Sequence, residues 1–197
     1  MKHLPWVACP VAVLTCAAAI AQAPQYNGDD RLTVPSDYRE WVFLTSSLDL
    51  NYNDAVPGTA ARSLLDNVFV NPEAYKAFLQ TGMWPDKTIL VKENRIAAPA
   101  GSISKSGKFQ TGVASMELHV KDDARFPGKW RFFVSDGKAP ARPVPVNADC
   151  YSCHEQHGAV DTTFVQFYPT LLEIAKPKGT FSPGYLRDEH DSSRTAK

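Results

Sequence analysis

Val113-Ala114-Ser115-Met116-Glu117-Leu118-His119-Val120 alternates without a break. Successive side chains of a strand point to opposite faces, so Ala114, Met116, Leu118 and Val120 share one side, and Ser115, Glu117 and His119 share the other. This is the pattern of an antiparallel strand with one buried face, and it places His119 on the polar, exposed side. The neighbouring stretches agree. Lys129 to Ser135 aligns Trp130, Phe132 and Val134, and Thr88 to Glu93 sets Leu90 and Lys92 against Ile89, Val91 and Glu93. Upstream, Leu64 to Val70 and Trp41 to Thr45 are apolar and rich in β-formers.

Helices are fewer. Tyr38-Arg39-Glu40-Trp41 reads as a short helical turn after Val34-Pro35-Ser36-Asp37. Asn71 is a natural N-cap, Pro72 suits the first helical position and Gly82 is a natural stop. Tyr75, Phe78 and Leu79 form the apolar stripe between them. Phe164, Phe167, Tyr168, Leu171, Leu172 and Ala175 recur at helical spacing, with a kink or restart at Pro169. The class is α+β, a mainly antiparallel sheet with a few helices. Residues 22–35 read as a loose leader, 36–175 as the domain and 176–197 as a disordered tail. Asp49 to Thr59, Ala97 to Gly107 and the Pro-rich Gly137 to Asn147 read as loops.

Between the last strand and the last helix stands Cys150-Tyr151-Ser152-Cys153-His154. C-x-x-C-H is the attachment signature of a c-type haem. Two thiols three positions apart each reach a vinyl group, and the adjacent imidazole meets the iron. Cys150 and Cys153 are therefore the thioether residues, and His154 the metal ligand. A zinc ribbon needs a second ligand pair, and a thiol oxidoreductase needs a βαβ setting; neither surrounds this motif. One covalent haem c per chain is the cofactor. Asp149 reads as the N-cap of the motif. His157 lies on the same side as His154, and Met83 and Met116, the residues able to give a sixth ligand, read as packing.

Residues 1–21 read as a cleaved signal peptide, with Lys2 and His3 before an apolar, Ala-rich run and Ala19-Ile20-Ala21 as the small-x-small site. Cys9 and Cys16 leave with it, so no disulfide framework is expected. Export agrees with haem attachment and places the protein in the periplasm. Lys and Arg number 21 against 21 Asp and Glu, so nothing marks nucleic acid as a partner.

Tyr38-Arg39-Glu40-Trp41, Val68-Phe69-Val70-Asn71-Pro72-Glu73-Ala74-Tyr75, Lys92-Glu93 and Phe164-Val165-Gln166-Phe167-Tyr168-Pro169 are together similar to the cytochrome P-460 family, which includes the cytochromes c′-beta. The resemblance runs from about Tyr38 to Ala175. It implies a homodimer and a five-coordinate haem with His154 as its one protein ligand. It also implies, for members with a modified haem, a lysine bonded to a meso carbon of the ring, and Lys92 matches that position. A lysine pressed on an apolar face is desolvated, which favours the neutral, nucleophilic amine. The alternative reading of Lys92 is a surface lysine at a strand end. The distal carboxylate of the hydroxylamine-oxidising members has no clear counterpart. Arg62 to Asp66 lies where pocket residues are expected, but matches weakly, and the catalytic residues stay unassigned.

Three functions follow. The first is a haem oxidoreductase that oxidises hydroxylamine to nitrogen oxides and passes electrons to a small redox partner protein. The second is a c′-beta-like cytochrome that binds nitric oxide without catalysis. The third is an electron-transfer cytochrome, which requires Met83 or Met116 on the iron.

Overall fold

The computed structural model describes residues 23–28, 30–52, 62–99, 101–126 and 130–195. The signal peptide expected at 1–21, with Cys9 and Cys16, lies outside the described residues, as does most of the loop expected at 49–59.

A short hairpin opens the described chain, β1 (Tyr26–Asn27) and β2 (Arg31–Leu32). A 3-10 turn at Tyr38–Glu40 follows, then β3 (Val42–Leu48), β4 (Leu64–Val70), α1 (Pro72–Thr81), β5 (Ile89–Ala98), β6 (Phe109–Lys121), β7 (Trp130–Ser135) and β8 (Arg142–Pro143). The chain ends in α2 (Asp149–His157), a 3-10 turn at Val165–Phe167, α3 (Pro169–Lys178) and α4 (Pro183–Thr195). Strands β3 to β8 form one six-stranded sheet in sequence order, antiparallel throughout. The α+β class holds.

The alternation read from the sequence sorts side chains correctly, but both faces of the sheet are covered. On one face, Val68, Val70, Leu90, Trp130 and Phe132 pack against Ala74 and Phe78 of α1 and Leu171 and Ala175 of α3. On the other, Ile89, Val91, Met116, Leu118, Val120 and Phe133 pack against Leu32, Tyr38, Trp41 and Ala141. The residues taken for a loose leader thus supply a core side chain, fully buried Leu32, because the hairpin lays it on the second face. Ala114, expected on the buried side, is exposed near the open end of β6.

Two further expectations are corrected. The stretch from Lys176 onward forms the end of α3 and all of α4 rather than a disordered tail. Tyr185 is buried against the helical core and stacks edge-on with Phe181, which anchors a helix whose remaining surface is polar apart from exposed Leu186. Strand β5 runs on to Ala98, into the segment read as a loop, because β6 pairs with it there, Ala97 with Gln110 and Ala98 with Phe109.

Helix α1 starts and stops where the sequence signals it. Gly82 adopts φ 73°, and a Cβ there would also lie 2.9 Å from Cδ of Lys178. Asn71, however, makes no capping bond to its helix. Its Oδ1 accepts the backbone N–H of Ile89 at 2.8 Å and its Nδ2 donates to the carbonyl of Lys87 at 3.4 Å. It ties the start of α1 to the start of β5. Asn71→Ala leaves the buried Ile89 N–H without an acceptor and is expected to cost about 1–3 kcal/mol in urea unfolding. Asn71→Asp, which keeps an acceptor oxygen, is expected to lose less.

Candidate functional site

Strand pairing decides which side chains meet on the helix-covered face. Val70 pairs with Leu90, Leu90 with His119 and His119 with Phe132. One step along, Val68 pairs with Lys92 and Lys92 with Glu117. Directly opposed residues on neighbouring strands point the same way, so these form two rows of side chains side by side. A cleft opens over them, lined by Asp66, Val68, Leu90, Lys92, Glu117 and His119 from the sheet. Its other walls are Leu50, Tyr52, Phe164, Phe167, Tyr168 and His154.

Helix α2 lies across this cleft. Ala148 stands at its N-cap position and Asp149 is the first helical residue, one step on from the cap expected of it; no side chain caps this end. Cys150 is exposed and Cys153 partly so. They sit three apart, hence on one helix face. Burial, and then the neighbouring Cys150, raise the Cys153 thiol above its usual range.

The His154 ring stacks on Phe164 with 4.1 Å between centroids and meets Phe132 at 4.7 Å and His119 at 4.8 Å. Its Nδ1 lies 2.8 Å from the carbonyl oxygen of Thr162. A carbonyl only accepts, so the proton resides on Nδ1 and Nε2 keeps its lone pair. Burial holds this imidazole below its ordinary pKa, which favours the same neutral form.

The carbonyl that orients His154 belongs to an unusual turn. Asp161 and Thr162 are consecutive non-glycine residues with φ of 48° and 58°. For β-branched Thr162 this is a costly conformation, on the order of 1–3 kcal/mol. Gly158 closes the same turn, and its φ of −66° is ordinary. It is glycine for space: a Cβ would lie 2.6 Å from the His154 carbonyl and 2.7 Å from Thr162.

His119 does not face solvent as read from the alternation. Its strand face is the cleft face, where the ring packs 4.3 Å from Phe132. Burial first, then His154 and Lys92, push its pKa well below the usual range, so it is a neutral ring here. Lys92 is also in the cleft rather than on the outer surface. Its Nζ lies 3.3 Å from Oε1 of Glu117 and 3.7 Å from Oδ2 of Asp66. The setting differs from the purely apolar one expected, because the amine is held between two carboxylates. Asn94 Nδ2 donates to the same Glu117 oxygen at 3.0 Å.

Asp66 is the one residue of the weakly matching 62–66 stretch that reaches the cleft. Burial raises its pKa, partly countered by Lys92. Glu117 carried no signal beyond its place on a polar strand face. Of the remaining candidates, Met83 is exposed and Met116 lies in the core on the other face of the sheet, so neither lines the cleft. His157 points to α4, its Nδ1 2.7 Å from Oδ2 of Asp188.

These features define an α+β domain with a C-x-x-C-H helix laid across one face of an antiparallel sheet. Residues 35–165 match the family model for cytochrome P-460, and the chain belongs to that family. No curated protein matches the chain. The family is one of haem proteins, so haem, with its iron, is the cofactor implied.

The residues present fit that group. Nε2 of His154 is free for a metal while Nδ1 is held. The cleft wall is largely apolar and aromatic, as a macrocycle requires. No side chain of α2 is fully buried, though Tyr151 and His154 are partly so, and a group carried by the helix would complete its packing.

The raised Asp66 pKa gives a pH test. An acid with a folded-state pKa above its unfolded value contributes stability below the unfolded pKa and loses it as pH rises through the folded one. Ionised Asp66 therefore costs stability at neutral pH. Asp66→Asn is expected to raise the melting temperature over wild type more at pH 7 than at pH 4. A difference of equal size at both values would count against the buried-carboxylate account.

Proposed function

We propose that this protein is a periplasmic c-type haem oxidoreductase that oxidises hydroxylamine to nitrogen oxides. Cys150 and Cys153 hold one haem through thioethers, formed by addition of each thiol across a vinyl group, and His154 is its axial ligand. When bound, the haem would supply a redox-active iron as the site for the substrate nitrogen and the outlet for its electrons to the redox partner. The observation that carries the reading is the placement of Lys92, Asp66 and Glu117 in the cleft that also holds His154.

Hydroxylamine loses protons as it loses electrons, so its oxidation needs an acceptor at the site. Asp66, whose burial raises its affinity for a proton, and Glu117 beside it are the acceptors. They also fill the role for which the sequence offered no residue. Leu50, Phe164, Phe167 and Tyr168 limit water around them. Lys92 would bond to a meso carbon in place of its hydrogen, the two protons and two electrons released passing to a two-electron oxidant of the peroxide class, and would tune the macrocycle's electronics rather than touch substrate. Its two carboxylate neighbours aim Nζ and stand ready to take the proton that the amine must lose to act as a nucleophile.

Export rests on the signal-like residues 1–21, and no helix among the described residues is long and apolar enough to cross a membrane. A homodimer and a small redox partner rest on the family resemblance. The same site without the lysine bond suits nitric oxide binding, since much of the cleft wall is apolar.

The deciding measurement is the absorption spectrum of the dithionite-reduced protein, wild type against Lys92→Leu. A strongly red-shifted Soret band in wild type alone is expected, followed by hydroxylamine turnover that falls sharply in Asp66→Asn with Glu117→Gln. Ordinary high-spin c-type spectra in both proteins would replace this reading with gas binding. Sharp low-spin bands in both would point to electron transfer.

A further inference from the structure

We propose that Lys121, at the end of β6, is a positioning residue for the axial imidazole. The proposal rests on His154 as the iron ligand. It concerns the turn that aims the His154 ring rather than the cleft itself.

The carbonyl of Thr162 accepts the Nδ1 proton of His154 at 2.8 Å from a turn in which Asp161 and Thr162 both take the left-handed conformation. Neither is glycine; they are the central pair of a two-residue turn closed by the antiparallel Val160–Thr163 bridge, a geometry that requires positive φ at both and is costly for β-branched Thr162. The Val160–Thr163 bridge closes the turn but does not fix it against the sheet, and that tie comes from outside. Lys121 does this with charge: its Nζ donates to Oδ2 of Asp161 at 2.6 Å and to the backbone carbonyl of Trp84 at 2.9 Å. The pair is well shielded, with side-chain exposures of 16% and 21%.

Trp84 closes the arrangement, its indole Nε1 donating to Oγ1 of Thr163 at 2.8 Å. The Thr163 hydroxyl in turn donates to the carbonyl of Val160 at 2.7 Å. Lys121 therefore joins both supports of the turn, Asp161 directly and Trp84 through its carbonyl. The same strand carries Glu117 and His119 into the cleft, so one element places cleft residues and also fixes the ligand's backing.

The hydrogen bond on the outer nitrogen of a ligating histidine controls how strongly the ring donates to its metal. Without the ammonium on Asp161, the turn keeps its Val160–Thr163 bridge but loses its tie to β6, and the Thr162 carbonyl shifts off the Nδ1–H axis. A weaker bond makes a poorer donor, which favours ferrous iron.

The test uses the haem-loaded mature protein with Lys121→Met, Lys121→Arg and Asp161→Asn. The readouts are the ferrous iron–imidazole stretching frequency by resonance Raman and the reduction potential, with a thermal melt alongside. Lys121→Met is expected to move the stretch to lower wavenumber and raise the potential. Lys121→Arg is expected to restore both, and Asp161→Asn to shift both in the direction of the methionine variant by less. Should Lys121→Met fail to fold, the asparagine variant carries the test. A lower melting temperature with stretch and potential unmoved would make Lys121 a structural residue only and overturn the proposal. Absence of any iron–imidazole mode in wild type would instead overturn His154 as ligand.

Discussion

The register of β5 between β4 and β6 puts Lys92 across from Val68 on one side and Glu117 on the other, with Leu90 across from His119 one step away. Because side chains alternate, a slip of one residue would send Lys92 into the apolar core behind the sheet and bring Glu93 into the cleft. The register is held by burial on both faces. Leu90 packs under the helices while Ile89 and Val91 pack under the hairpin and the Tyr38 turn. Neither set tolerates exchange with its polar neighbours, so the placement of every sheet-borne cleft residue follows from it.

Glu93 shows how the reverse face accommodates a charge. Its side chain is essentially inaccessible, and Oε1 accepts from the Tyr38 hydroxyl at 2.6 Å, from Arg95 at 2.8 Å and from Arg39. Its Oε2 has no partner. A buried carboxylate persists only when cations and donors offset its desolvation, and two guanidinium groups meet here. The arrangement pins the 3-10 turn at Tyr38–Glu40 to β5 directly behind Lys92. Burial first, and then the Glu93 carboxylate, push the Tyr38 phenol up to about 12. Charge of opposite sign at neighbouring positions thus faces opposite sides of one strand.

On the other side of the cleft, α2 borrows its position from what surrounds it. The Tyr151 ring stacks on Phe132 at 4.5 Å, and the His154 ring on Phe164. Helix α4 braces its far end, where a Cβ on Gly184 would lie 1.9 Å from the carbonyl of Gln156. That close approach, with the His157–Asp188 pair and the Ser182 hydroxyl donating to the Gly158 carbonyl at 2.7 Å, makes the last helix a clamp on the motif. The family match ends at 165, before this helix begins.

Period-two alternation, the Asn-Pro start and Gly82 stop of α1, the break at Pro169 and C-x-x-C-H are local signals, each complete within a few residues, and the sequence by itself determined them. The same holds for the α+β class and for Cys150, Cys153 and His154 as a unit. Whether a polar strand face meets water or a covered cleft is not local, since it depends on which helices fold back over it. His119 and Glu117 were legible as strand residues but not as cleft residues for that reason, and Lys92 could not be placed beside Asp66 without the pairing of β4 with β5. The tail was misjudged because one buried tyrosine in a polar segment carries no periodic signal. Tertiary structure alone decided what ties the left-handed turn at Asp161–Thr162 to the sheet, because Lys121 reaches it across forty residues of chain.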